Sequence, residues 1–463
     1  MEKLLFTNET GAALYEKYAK TLPIIDFHCH LQPKEILEDR EFEDLGEIWL
    51  AHDHYKWRCM RTFGIDERLI TGDASFEDKF IAFAGIMPML VGNPVYGWCQ
   101  LELARYFGIN EPLNKHTAKA IYDKTKAMIK EKRMSPRYFI DNSNVEYIAT
   151  TDDPADDLSY HMAIAEDASF KTKVAPAYRP DLAMNIQKQG FAAYIQRLGA
   201  AAQMQIDSFD SLMAALEKRI VFFKQQGAKV TDHGMDNLTF RTCDKAELQA
   251  IFAKGLSGEA LCGCEADKYQ TAFLMGMATI CREHGMLMQL HIGAYRNANE
   301  LMFGKLGADT GFDACDDLCS VKSIGLLLNA INLGGNLPRV MLYPINAAQF
   351  EPLAVLAAAF SADGTKAKVS MGAPWWFNDQ AYGIKRQFEA AGQLYPLALS
   401  TGMVTDSRSF LSYPRHELYR RVLCDYLGEL VERGEYISGE AALGEVIEAV
   451  CYKNARDYLG LGE

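Results

Sequence analysis

Eight short apolar runs recur along the chain, and each ends in polar residues. They are PIIDFHCH (23–30), NVEYIATTDD (144–153), KVAPAYRPD (173–181), AKVTDHGMD (228–236), MLMQLHIGA (286–294), RVMLYPIN (339–346), KVSMGAPWWFND (368–379) and LALSTGMVTDSR (397–408). The first half of each is continuously apolar, as in strands buried on both faces. Amphipathic stretches separate most of them. In KYQTAFLMGMATICREHG (268–285) apolar positions return every three or four residues, and Gly285 stands where a helix would stop. Strands alternating with helices eight times predict an α/β protein, a (β/α)8 TIM-like barrel. An open doubly wound sheet is the alternative, weakened because no G-x-G-x-x-G follows the first run.

The gap from residue 30 to residue 144 is far longer than the others. Residues 34–142 read as mostly helical, with turn signals at Gly92–Asn93–Pro94 and Ser135–Pro136. The expected organisation is therefore an N-terminal segment with the first barrel strand (1–33), a helical insertion subdomain at one side of the barrel mouth (34–142), and the rest of the barrel (143–463). Near the C-terminus PRHELYRRVLCDYLGELVERG reads as one long helix, and a second starts near Ser438.

A barrel gathers the C-terminal ends of its strands at one face, so the polar ends of the runs should meet. His28 and His30 are two residues apart, which on a strand puts both imidazoles on one face. The fifth run adds His291 and the eighth adds Asp406. A single histidine is most often a satisfied core or surface residue. Two on one face, with an aspartate arriving from the eighth run, point to one divalent metal held by His28, His30 and Asp406. Imidazole and carboxylate donors suit zinc, with manganese and iron(II) as alternatives. Arg179 and Arg408 end the third and eighth runs and offer guanidinium forks to a carboxylate. Arg296 and Arg415 lie farther from strand ends and rank lower. Trp375 and Trp376 are adjacent, so one should face the cleft while the other packs outward. His233 is expected to border the pocket without joining the metal shell. His52 and His54 read equally as solvated residues of a polar loop.

Composition narrows the partners. Of 463 residues 49% are hydrophobic and 24% charged, as in an ordinary globular enzyme. No run approaches the roughly 18 apolar residues of a membrane span. The first residues, MEKLLFTNETGAALYEKYAK, lack a secretory pattern, so a cytoplasmic location is expected. A net charge of −13 argues against nucleic acid or an anionic membrane as partner, but not against a small anion bound in an arginine-lined cleft. The 11 cysteines show no C-x-x-C spacing, which fits reduced thiols.

His-x-His closing the first strand and Asp closing the eighth resembles the amidohydrolase superfamily. Its binuclear members bridge two ions with a carboxylated lysine after strand four and add a histidine after strand six. Here those places read TDHGMD and YPIN, so the resemblance implies a mononuclear site. A finer resemblance is to the uronate isomerase family. It rests on DFHCHLQPKEI (26–36), DHYKWRCMR (53–61), AYRPD (177–181), LHIGAYRN (290–297), GAPWWFND (372–379) and TDSRSFLSYPRHELYRR (405–421), in the family's order. It implies conversion of D-glucuronate to D-fructuronate and of D-galacturonate to D-tagaturonate. Asp406 would be both ligand and base, and His54 or Tyr55 the acid. Arg179, Arg408, Trp375, Trp376 and His291 would hold the hexuronate, and a homo-oligomer is expected. Two rivals stand beside this reading: a metal-dependent hydrolase acting on an amide or lactone, and a non-catalytic sugar-acid binder.

Overall fold

The computed structural model describes residues 4–317, 319–362 and 364–462. Its central sheet has seven strands, all pairs parallel, in sequential order. They are β1 (Ile24–Asp26), β2 (Val145–Asp152), β3 (Lys173–Tyr178), β4 (Val230–Met235), β5 (Leu287–Ile292), β6 (Val340–Pro344) and β7 (Val369–Met371). Helices cross between them, which gives the expected barrel architecture.

Seven of the eight runs thus contain a regular strand, and 397–408 does not. Residues Leu397–Leu399 form a 3-10 turn, and the backbone then enters the left-handed region at Gly402 (φ 77°) and Asp406 (φ 47°), which interrupts a ladder. The segment still takes the eighth place against β1. Asp406 N donates to the His28 carbonyl at 3.1 Å, and His30 N to the Ser407 carbonyl at 3.0 Å. Thr405 donates to the Asp26 carboxylate through its backbone N at 2.8 Å and its hydroxyl at 2.5 Å. The run 368–379 also leaves the ladder early, because Pro374 has no N–H to donate.

Alternation along the strands sorts side chains into two layers. Ile25, Tyr147, Ala149, Ala175, Ala177, Val230, Leu287, Met341 and Tyr343 pack together inside the barrel. Met235, Met288, Leu290, Ile292, Val340 and Leu342 face outward under the helices. Asp232 shares the parity of Val230, and His291 that of Leu287, so both point inward. His233 shares the parity of Met235 and points out.

Between β1 and β2 run seven α-helices of six or more residues, from Pro33–Glu38 to Pro136–Asn142. The turn signals act as caps: Asn93 and Ser135 accept from the first helical turn, each followed by proline at the first helical position. These helices share one hydrophobic core with the long helix Pro414–Glu432. The helix predicted over 268–285 runs Gly263–Glu283, and Gly285 follows at φ 63°. The N-terminal helix Glu9–Leu14 lies tight on Pro414–Glu432. A β-carbon at Gly428 would sit 2.1 Å from Asn8 Oδ1, so only glycine allows that crossing. Among the described residues no single helix is long and apolar enough to cross a membrane.

Candidate metal centre and active site

The ends of β1 and of the 401–407 segment bring His28, His30 and Asp406 together. His28 Nε2 and His30 Nε2 lie 3.2 and 3.0 Å from the same oxygen, Oδ1 of Asp406. Asp406 keeps 13% of its side chain exposed, so the carboxylate reaches the cleft. Burial pushes its pKa up, but the two imidazoles outweigh that and hold it well below the usual carboxylate range. Burial pulls His30 down to about 4, against the attraction of Asp406. Asp406 and His30 thus show the ionised carboxylate and neutral imidazole that a divalent ion requires of its ligands, whereas at His28 the downward pull of burial is outweighed by Asp232 and Asp406, which draw it upward.

A second group forms deeper, where His28 meets Asp232 and His291. Asp232 Oδ1 lies 2.5 Å from His291 Nδ1, and Asp232 Oδ2 lies 3.9 Å from His28 Nδ1. His291 stacks against Tyr343 at 4.5 Å and His28 at 4.5 Å, and meets the edge of Trp375 at 4.6 Å. His28 Nδ1 and His291 Nε2 are buried and have no hydrogen-bond partner among the described residues. Buried polar atoms normally find one, so both point to a group that the protein itself does not supply. Two triads that share His28, one with His30 and Asp406 and one with Asp232 and His291, each gather imidazole and carboxylate donors of the kind a transition-metal ion takes.

Asp232 is the residue that sequence reasoning missed. Attention went to His233, which lies on the outer face, fully buried, with Nε2 3.2 Å from Thr231 Oγ1. His233 does not border the pocket. The strand period would have found Asp232, since Val230 marks the inward parity. Tyr343 lies near the end of β6, where its hydroxyl donates to Gln289 Oε1 at 2.8 Å. Burial raises the Asp232 pKa, but Arg179, His291 and His28 hold it well below the carboxylate range.

Arg179 does end the third run, but it arrives paired. Its Nη1 is 3.1 Å from Asp232 Oδ2 and its Nε 2.8 Å from Asp181 Oδ2. Arg408 pairs with the half-exposed Asp309 at 3.0 Å, and Arg296 lies 3.7 Å from that same residue. Arg415 is buried and does not reach the cleft. The room for the Arg179 fork comes from Gly234: a β-carbon there would lie 2.9 Å from Nη2 and 2.8 Å from Asp181 Oδ2. Gly234→Ala is therefore expected to displace the fork and cost about 1–3 kcal/mol of stability, the usual range for overpacking. A thermal unfolding midpoint equal to that of the parent protein would show that the fork moves aside freely.

The two tryptophans do not divide as adjacent strand residues would, because both stand beyond the end of β7. Both are buried. Trp375 donates its indole N–H to the Tyr343 carbonyl at 2.9 Å. Trp376 adopts φ 53°, meets His54 edge-on at 5.9 Å and carries the Arg296 guanidinium 5.3 Å above its ring.

His54 and Tyr55 open the helix His54–Thr62, capped by Asp53, which accepts from Tyr55 N at 2.9 Å. His52 is exposed. Burial, helped by Arg408, lowers His54 to about 4. The Tyr55 hydroxyl lies 3.1 Å from Asp379 Oδ2 and 3.2 Å from the Trp376 carbonyl, and burial with the Asp379 charge holds its pKa well above the ordinary phenol value. A cavity of about 630 Å³, lined by His54, Tyr55, Arg58, Trp376, Phe377 and Asp379 among others, lies between the insertion and the loop after β7. It has the size of a small-molecule pocket.

The chain is similar to known proteins over nearly its whole length. The model of the glucuronate isomerase family matches residues 1–459. A uronate isomerase of Clostridium perfringens is 46% identical over 454 residues, covering 98% of this chain and 97% of that protein. The crystal structure of a uronate isomerase from Thermotoga maritima superposes with a TM-score of 0.93 at 32% identity, covering 99% of both chains. That of a glucuronate isomerase from Caulobacter crescentus gives 0.92 at 26% identity, covering 100% of this chain and 97% of that one.

Proposed function

This chain belongs to the glucuronate isomerase family, and on that premise we propose that it interconverts D-glucuronate with D-fructuronate and D-galacturonate with D-tagaturonate at a single divalent metal ion, zinc by preference. The activity is an aldose–ketose isomerisation of a hexuronate. The observation that carries the site assignment is the convergence of both His28 and His30 on one oxygen of a cleft-facing Asp406.

In this reading His28, His30 and Asp406 hold the ion. Once bound, such an ion polarises the substrate oxygens as a Lewis acid. The chain's own residues do the rest. Arg408, with a half-exposed partner, and Arg179 take the hexuronate carboxylate. Trp376 presents an aromatic wall to the sugar. Asp406 moves the proton between C2 and C1, since only its Oδ1 is engaged by the two histidines. Tyr55 is the better proton donor to the oxygens, because it stays protonated near neutral pH, whereas His54 stays neutral there. His291, held by Asp232, closes the floor of the cleft beside His28.

A proton NMR time course in D2O with D-glucuronate tests this reading. The expected result is a ketose product of unchanged formula, with solvent deuterium at C2 of recovered substrate. Chelation is expected to slow the conversion, and added metal to restore it. No conversion of either hexuronate would sink the reading and favour hydrolysis of a lactone or amide. Conversion indifferent to exhaustive metal removal would detach catalysis from the ion.

A further inference from the structure

Behind the cleft, a chain of buried contacts joins three distant segments. The Tyr55 hydroxyl donates to Asp379 Oδ2 at 3.1 Å, and that oxygen lies 3.5 Å from Arg415 Nη1. The same Nη1 donates to the Thr405 carbonyl at 3.2 Å, the peptide that leads directly into Asp406. Asp26 grips Thr405 from the opposite side. The Arg415 guanidinium lies 4.0 Å above the ring of Trp98 and 5.2 Å from that of Tyr55, both from the helical insertion. The Asp379 and Arg415 side chains are each only 2% exposed, so although Asp379 borders the cavity beside Tyr55, neither offers a bound molecule more than a small edge.

A buried ion pair is a weak way to gain stability, because desolvation opposes its attraction. This pair is also incompletely satisfied: Asp379 Oδ1 and Arg415 Nε have no hydrogen-bond partner among the described residues. Apolar residues would fill the same space at lower cost. What the pair does provide is a fixed distance between a phenol on the insertion and a carboxylate on the barrel.

We propose that Asp379 and Arg415 are positioning residues for the isomerisation, a buried clamp that holds the Tyr55 hydroxyl in register with the backbone presenting Asp406. The inference rests on the assignment of Tyr55 and Asp406 to proton transfer. The clamp acts through Tyr55, so its loss should appear in turnover and should matter only while the phenol is present.

The test is a double-mutant cycle on the metal-loaded enzyme with D-glucuronate. Asp379→Asn is expected to lower kcat about ten- to hundred-fold, the range of an ångström-scale misplacement, with KM within about twofold and metal content unchanged. In a Tyr55→Phe background the same substitution should cost less than about threefold more, because the two changes break one interaction. A parental kcat in Asp379→Asn overturns the proposal. So does the full loss recurring in the Tyr55→Phe background, which marks a general structural role. Tyr55→Phe turning over at the parental rate overturns the proposal together with the assignment it rests on. Should Asp379→Asn not fold, Arg415→Lys, which keeps the buried charge and loses the fork, is read in the same two backgrounds by the same criteria.

Discussion

Asp406→Asn is expected to fold and to lose about 10³- to 10⁴-fold in turnover, the upper range for removing a group that carries proton transfer. Asparagine is the informative replacement for a backbone reason. Position 406 sits at φ 47°, a left-handed conformation that asparagine tolerates as aspartate does and that alanine would occupy with strain. The amide oxygen can still meet the two imidazoles. What disappears is the negative charge that His28 and His30 share. The unfolding midpoint should fall only modestly, while turnover nearly vanishes. Three measurements separate the possibilities: kcat by NMR, metal content by elemental analysis, and the midpoint. A variant that keeps its metal and loses its rate identifies Asp406 as the base. A variant with parental turnover removes Asp406 from the chemistry.

Arg179→Met should be chiefly a stability mutation, on the order of 3 kcal/mol, with weaker hexuronate binding as its second effect. Asp232 is fully buried, and Arg179, 18% exposed, is the cation that compensates it. Removing one partner of a buried pair leaves the other charge uncompensated, which costs more than the pair contributes. Adding Asp232→Asn to Arg179→Met should therefore recover much of the lost stability. Denaturant midpoints of the single and double variants check this. If Arg179→Met keeps the parental midpoint, Asp232 draws its compensation from His28 and His291 instead. An unchanged KM would leave carboxylate recognition to Arg408.

The repeat of apolar runs disclosed the barrel because strands buried on both faces cannot hide their composition. Seven of the eight runs contain strands, and the polar ends of the first, fourth, fifth and eighth runs converge as a barrel requires. The eighth run was deceptive: LALSTGMVTDSR is apolar enough for a strand, but Gly402 and Asp406 turn the backbone out of the ladder. His28, His30 and Asp406 were legible because their types and spacing are unusual. Asp232 was not, since a single aspartate next to a histidine carries no pattern, and only the parity set by Val230 shows which of the two faces inward. Nor did sequence alone show that Arg179 arrives already neutralised by Asp181 and Asp232. Tyr55 and Arg415 illustrate a third limit. Their partnership through Asp379 joins residues more than three hundred positions apart, and no local pattern encodes it.

The seam between β1 and residues 405–407 has a temporal meaning. Asp26, His28 and His30 are made well before their partners Thr405, Asp406 and Ser407, with 379 positions between Asp26 and Thr405. Pairings of such sequence separation form late and slowly, because the intervening chain must first be ordered. A nascent chain that has not yet reached residue 405 can pair β1 with β2 but cannot bring Asp406 to His28 and His30. Such a fragment would expose an unpaired edge of β1, the kind of surface that recruits chaperones or other strands. An ion held by His28, His30 and Asp406 would therefore be captured only after residues 405–407 have docked on β1.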